Sequence, residues 1–508
     1  MNARALSWWI VAFGATVRVA QLALDPPMRW DEAAISWNVL TRGVGALLGP
    51  LAWKQSAPPG FLLAQKAMVT VFGGSEAALR AVPFACGLLF LVFFRSLALR
   101  LLDGPAALMA VALAACNHNA IFHAVDAKQY SGDLVAATGL LLLAARVGEP
   151  PFSRRAAVSL VIAGALAVAW SHPACFVLAG IATNWLVRAW RRRDRPALRA
   201  AAIVAAGWAL VFAASLAVSR MATDTAGLEE VWARTFAPLP PRSGEEWLWY
   251  LRYPVKIFRE PGDLQPYFVS AAIFLIGLVA LRRRGSPLAW WACAPIVLAL
   301  AASAFRLYPF HSRFLLFSVP LLALVTAEGW GALWRLCGRA RIGSPQRPAW
   351  TAAPRFVLTA GLLFYPVASS LPDFVRHYMR GSDLRAPLKV VAAEARAGDR
   401  LAFPNASDPQ FTYYLDRLGL AQRDVGIIEL PADADSAARA ASGAGRLWVV
   451  LLFESTRERL FLRERISKKT EAQRRRNEEI VLKLEEHGML VERREFNGCE
   501  LCLLQMDS

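Results

Sequence analysis

The sequence predicts a polytopic α-helical membrane protein that ends in a small α/β domain. Three observations carry that reading. The chain has 508 residues, of which 56% are hydrophobic and 19% charged, and its mean hydropathy is +0.35. Apolar stretches recur at close to the ~20 residues a helix needs to cross a bilayer, whereas one soluble core of that apolarity would be exceptional. After about residue 372 the pattern changes to short strand-like runs between turn residues.

The apolar stretches fall at 6–24, 81–98, 105–122, 132–147, 156–171, 173–190, 200–218, 266–281, 287–305, 313–334 and 355–372, about eleven transmembrane helices in all. The first follows Arg4 and lacks a clean small-x-small site before Asp25. It therefore reads as an uncleaved helix with a cytoplasmic N-terminus, not as a signal peptide. The loops around Arg95–Arg100, Arg146–Arg155, Arg188–Arg199, Arg282–Arg284 and Arg335–Arg355 then all fall inside, as the positive-inside rule requires. Moving the count by one span would separate Arg191–Arg193 from Arg282–Arg284. The net charge of +18 thus reports orientation and contact with anionic lipid, and nucleic acid is not an expected partner.

Residues 1–372 form the expected membrane domain and residues 373–508 an extracytoplasmic α/β domain of ordinary size. Within the latter, Arg400–Phe403 and Arg446–Leu452 read as strands, and Thr456–His487 as a helix whose mixed charges mark a solvated face. The seven cysteines form no disulfide framework: Cys86, Cys116, Cys175 and Cys293 lie in apolar spans. Cys499 and Cys502 stand three apart in a final strand, pointing to opposite faces, which disfavours a metal or redox pair.

The outer loops carry the candidate chemistry. Asp31-Glu32 follows the first span; the pair could remove a proton from a hydroxyl, hold a cation, or cap a helix starting near Ala33. Pro58-Pro59 precedes an apolar run, Gly60–Phe72, too short to cross a bilayer, which predicts an interfacial helix with Lys54 and Lys66 at headgroup level. Between the third and fourth spans, His123, Asp126, Lys128, Tyr130 and Asp133 crowd into one loop. Ionisable groups at membrane depth are costly and mark a pathway or a site, although Asp126 and Lys128 could simply pair. His172-Pro173 ends the fifth span, and Arg313 precedes the tenth, where a guanidinium can grip a phosphate or anchor the interface.

In this order the residues resemble the C-type membrane glycosyltransferases, the GT-C fold. The nearest likeness is to the superfamily of protein O-mannosyltransferases and the aminoarabinose transferase, glycosyltransferase family 39-like. The likeness rests on Asp31-Glu32 after the first span, Pro58-Pro59, and Ala78-Leu79-Arg80-Ala81-Val82-Pro83 opening the second. It continues with Asp126-Ala127-Lys128-Gln129-Tyr130 and Arg313-Phe314-Leu315-Leu316 before a late span. Many relatives carry Arg where Lys128 stands, so bidentate phosphate binding does not transfer to that position.

The resemblance implies a sugar donor carried on a polyprenyl phosphate, a hydroxyl acceptor in the cell envelope, and inverting transfer at the outer face of the cell membrane. It implies Asp31 as general base, with Glu32 and Asp126 in support. Lys128 and Arg313 would face the leaving phosphate with Lys54 in reserve, and Tyr130 and His172 would bind substrate. No cofactor is required, and assistance by a divalent cation is left open because no His/Asp spacing demands it. The competing expectations are a polytopic transporter or lipid flippase and an outer-face scaffold. Transporters often show internal repeats with interrupted helices, and none is visible in this sequence.

Overall fold

The computed structural model describes residues 2–222, 232–339, 353–374, 382–431, 433–453 and 468–507. The chain divides into two compact units. One comprises Met1–Leu24 and Arg42–His377, the other Asp25–Thr41 and Tyr378–Ser508. The division follows packing and not chain order: the segment carrying Asp31-Glu32 belongs to the unit built mainly by the C-terminal residues.

The first unit is helical. Helices stand at every predicted apolar stretch, beginning with Ala3–Ala23, Glu76–Leu101 and Gly104–Ala115. Among the described residues five are long and apolar enough to cross a membrane: Ala3–Ala23, Glu76–Leu101, Tyr130–Val147, Arg195–Ala217 and Ser312–Cys337. Their ends follow ordinary capping rules. The hydroxyls of Ser75 and Ser153 accept the backbone N–H groups of Ala78 and Ala156 at 3.1 and 3.2 Å.

Two predicted stretches are interrupted. The run 105–122 breaks after Ala115, and a short turn, His118–Phe122, follows. Asn117 causes the break: its Oδ1 accepts from Ala120 N–H at 2.7 Å, while its Nδ2 donates to the carbonyls of Pro261 and Gly262. The run 313–334 opens with a tight 3₁₀ segment, Ser312–Ser318, before the helix Val319–Arg339. Pro320 sits in the first helical turn there, where its missing N–H removes no needed bond.

The arginine-rich loops gather at one end of this unit. Arg95 donates to the Arg4 carbonyl and Arg100 to the Ala145 carbonyl. Glu149 pairs with Arg188 and Arg192, and Arg188 reaches the Gly285 carbonyl at 3.3 Å. Asp103 pairs with Arg284 and Arg335, and both guanidinium groups also bind the fully buried Glu328. The Arg188–Arg193 and Arg282–Arg284 loops therefore share one end, as the span count requires.

Close helix approach comes from small residues. Gly277 and Gly329 face each other where Tyr267–Arg283 crosses Val319–Arg339; a Cβ on either would fall on the carbonyl of Val325 or Ile273. The helix Pro59–Phe72 starts at the expected proline and is 14 residues long. It buries Phe61, Leu62 and Gln65 and exposes Leu63, Val71 and Phe72, the pattern of a helix lying in an interface.

The second unit contains a five-stranded sheet in the order β2-β1-β3-β5-β4, with β1 Arg400–Phe403, β2 Gly426–Glu429, β3 Arg446–Leu452, β4 Gly488–Phe496 and β5 Cys499–Met506. β1 runs parallel to β2 and β3, whereas β5 is antiparallel to β3 and β4. The strands expected at Arg400–Phe403 and Arg446–Leu452 have those bounds. The charged helix spans Lys468–Glu485, and the earlier part of its predicted range lies outside the described residues. Cys499 and Cys502 are buried free thiols in β5, and burial pushes the Cys502 thiol up to about 12.

Candidate functional site

The polar loop between the third and fourth predicted spans folds into a compact turn ahead of the helix Tyr130–Val147. Its geometry follows from local bonds. The Ser131 hydroxyl donates to the His123 carbonyl at 2.7 Å, and Lys128 N–H donates to the Asp126 carbonyl at 2.6 Å. Three residues apart on this turn, His123 Nδ1 and Asp126 Oδ2 meet at 2.7 Å. With an ionised carboxylate the imidazole is the donor. Both side chains are buried.

A chain of ring contacts continues from there. The His123 ring meets Tyr130 edge-on, with centroids 4.8 Å apart, and Tyr130 meets Phe314 at 6.3 Å. The Arg313 guanidinium lies 5.6, 5.2 and 5.7 Å from the ring centres of Tyr130, Trp232 and Phe314. Planar guanidinium groups stack well on aromatic faces, and that packing limits the rotamers open to Arg313. Tyr308 closes the set: its hydroxyl donates to the Phe314 carbonyl at 2.7 Å, and its ring packs on Phe176. Burial, then the Asp133 carboxylate, push its phenol well above the usual range.

Lys128 is buried, and its Nζ donates to Gln55 Oε1 at 2.9 Å. The second outer loop is thereby tied to the segment before Pro58-Pro59. That segment is strained: Trp53 and Lys54 have φ of 56° and 52°, and two consecutive non-glycine residues in the left-handed region cost about 1–3 kcal/mol each. Lys54 itself is exposed.

The sequence thus brings Asp126, Tyr130 and Arg313 into one chain of contacts, with Lys128 beside Asp126 in the backbone. His172 stands in the turn after Arg154–Trp170, next to Ser171, whose hydroxyl donates to Asp133 at 2.6 Å. Its Nε2 is buried with no hydrogen-bond partner among the described residues, and burial lowers its pKa to about 4. His123, which links Asp126 to Tyr130, is one of the residues that crowd this loop in the sequence, but no role was assigned to it there. Its spacing of three from Asp126 in a tight turn was the available signal.

Asp31 and Glu32 occupy the first turn of the helix Trp30–Thr41 in the second unit. The helix starts at Trp30 and not near Ala33. Glu32 Oε2 accepts from the Arg29 backbone N–H at 3.1 Å and from its Nε at 3.3 Å, so Glu32 does perform the capping role. Asp31 Oδ1 lies 3.7 Å from the same guanidinium. Both carboxylates are buried, and both favour the positive end of the helix dipole. Among the described residues, no three His, Cys, Asp or Glu side chains gather as a metal site.

No protein-family model and no curated protein matches the sequence. The fold has clear counterparts among solved structures. ArnT from Cupriavidus metallidurans bound to undecaprenyl phosphate superposes with a TM-score of 0.53 at 14% identity, covering 98% of each chain. The same protein in the apo state gives 0.50 at 15% identity, again over 98% of each chain. The archaeal oligosaccharyltransferase AglB from Archaeoglobus fulgidus, in complex with an inhibitory peptide and a dolichol-phosphate, gives 0.50 at 12% identity over 87% of this chain and 69% of that one. ArnT is an aminoarabinose transferase, and both proteins have the GT-C fold. The fold of this chain is therefore the GT-C fold, the one its sequence resembles.

Proposed function

We propose that this protein is a membrane glycosyltransferase that moves a sugar from a polyprenyl-phosphate carrier to a hydroxyl acceptor of the cell envelope. One observation carries the reading: the fold matches, over nearly the whole of both chains, that of a transferase captured with undecaprenyl phosphate. The topology that goes with it has about eleven spans, the arginine-rich loops in the cytoplasm, and the candidate residues and C-terminal domain on the outer face.

In the reaction, the acceptor hydroxyl loses its proton to the Asp31 carboxylate as its oxygen attacks the anomeric carbon. The new C–O bond forms as the bond to the carrier phosphate breaks, so direct displacement inverts the anomeric centre. The polyprenyl phosphate leaves with its electron pair, and Lys128 and Arg313 stabilise the charge that builds on it. Arg313 suits this role because aromatic packing fixes its guanidinium before the reaction. Asp126, held by His123, orients the acceptor or Lys128; Tyr130 and His172 shape the substrate pocket, Glu32 fixes the turn that carries Asp31, and Lys54 is a further cation for the donor.

Asp31→Asn keeps size and hydrogen bonding but removes the base. Transfer from a polyprenyl-phosphate sugar should fall by about 10²–10⁴-fold with the thermal midpoint unchanged. Turnover near that of the unaltered protein would remove Asp31 from the mechanism.

A further inference from the structure

We infer that the short helix Pro409–Arg417 is the seat of the acid pair, and that Tyr414 and Gln410 are positioning residues for the reaction, acting through Asp31. The inference rests on the reading of Asp31 as general base, and it concerns the second unit alone.

The segment Asp25–Thr41 is fastened to residues nearly four hundred positions away. The Tyr414 hydroxyl accepts the Met28 backbone N–H at 2.7 Å, and Gln410 Nε2 donates to the Met28 carbonyl at 2.8 Å. Gln410 also donates to the Ser382 carbonyl at 2.9 Å. Both backbone groups of Met28 are thus held by side chains of one helix, two residues before the first helical residue, Trp30. Asp408, which caps that helix through Gln410 N–H and Phe411 N–H, receives the Trp30 side chain. Further along, Trp37 Nε1 donates to Asp416 Oδ2 at 2.8 Å, and Arg385 binds Asp25 at the other end.

These bonds tie positions 408, 410, 414 and 416 of one short helix and its cap to positions 30, 28, 28 and 37. A helix held at Trp30, at Trp37 and just before its first turn has little freedom to rotate about its axis. Rotation is the motion that would swing Asp31 away from an acceptor hydroxyl, and misplacement by 1 Å can cost about a hundredfold in rate. Tyr414 and Gln410 are themselves buried, and Tyr414 packs on Tyr413 at 5.0 Å, so the seat is rigid. Both of these partners of Met28 come from the C-terminal residues. The C-terminal unit on this account serves catalysis by aiming the base.

The test uses the full-length protein in nanodiscs. Tyr414→Phe keeps the ring and removes the acceptor for Met28 N–H; Gln410→Met keeps the length and removes the donor, and it serves if the first variant does not fold. Hydrogen exchange over residues 28–36 should speed up in either variant. Turnover should fall about tenfold to a hundredfold, with the KM for the polyprenyl-phosphate sugar within about twofold of its normal value. Adding Tyr414→Phe to Asp31→Asn should cause no further loss, since both act through one group. Unchanged exchange would overturn the seat. Faster exchange with undiminished turnover, in a protein that Asp31→Asn inactivates, would overturn the positioning role and leave the transferase reading standing. A fully active Asp31→Asn protein would sink the catalytic reading and the positioning role together, while the exchange result would still report on the anchor.

Discussion

His172 shows how burial alone gives one side chain a measurable signature. Its folded pKa is lowered to about 4 from the ordinary 6.5 because the ring is charged only at a cost. In the unfolded chain it takes up a proton first as pH falls. The contribution of neutral His172 is therefore whole above pH 6.5 and is lost as pH drops toward 4, on the order of 3 kcal/mol in total. Thermal melts between those limits should show that decline, and His172→Phe should flatten it; an unaltered slope in the variant would mean the imidazole is hydrated. Arg313 gives a second prediction. Arg313→Ala should raise the KM for the lipid-linked donor about tenfold or more, the range of a lost charge-assisted pair, with a smaller effect on kcat. A lower melting temperature at unchanged KM would make Arg313 an interface anchor.

Helices and loops were largely legible because their signals are local. Apolar run lengths and Pro59 at a helix start act within a few residues. The interruption at Asn117 was not, since its reason is a pair of carbonyls at Pro261 and Gly262, far along the chain. The same holds for the first outer segment. The sequence places Asp31-Glu32 next to a membrane helix, but the partners of Met28 and Trp37 lie 386 and 379 residues away, and no periodicity encodes such a contact. His123 stands in the polar loop that the sequence marks out, but its role was hidden for a different reason: only the fold of the turn makes it the bridge between Asp126 and Tyr130. At this scale the Gly277–Gly329 crossing makes a firm prediction. Gly329→Val should destabilise the membrane unit by about 1–3 kcal/mol or more, because its side chain would displace backbone and not a flexible group. A melting temperature equal to that of the unaltered protein would show the two helices can part at no cost.

For the whole molecule, charge and hydropathy together fix more than either does alone. The basic loops that sequence counting assigns to one side are joined in the structure by Glu149, Asp103 and Glu328. The loops that the same counting assigns to the other side supply Asp126, Lys128, Tyr130 and Arg313. The fold is shared with transferases seen with polyprenyl phosphates. A flippase would use the same apolar frame but leave the sugar–phosphate bond intact. The direct measurement is therefore on the purified protein in nanodiscs, with a polyprenyl-phosphate sugar, a hydroxyl acceptor and no ion gradient. Release of free polyprenyl phosphate matched by glycosylated acceptor of inverted anomeric configuration is the expected result. Lipid-linked sugar that stays uncleaved, and crosses the bilayer when the protein is placed in vesicles, would contradict it.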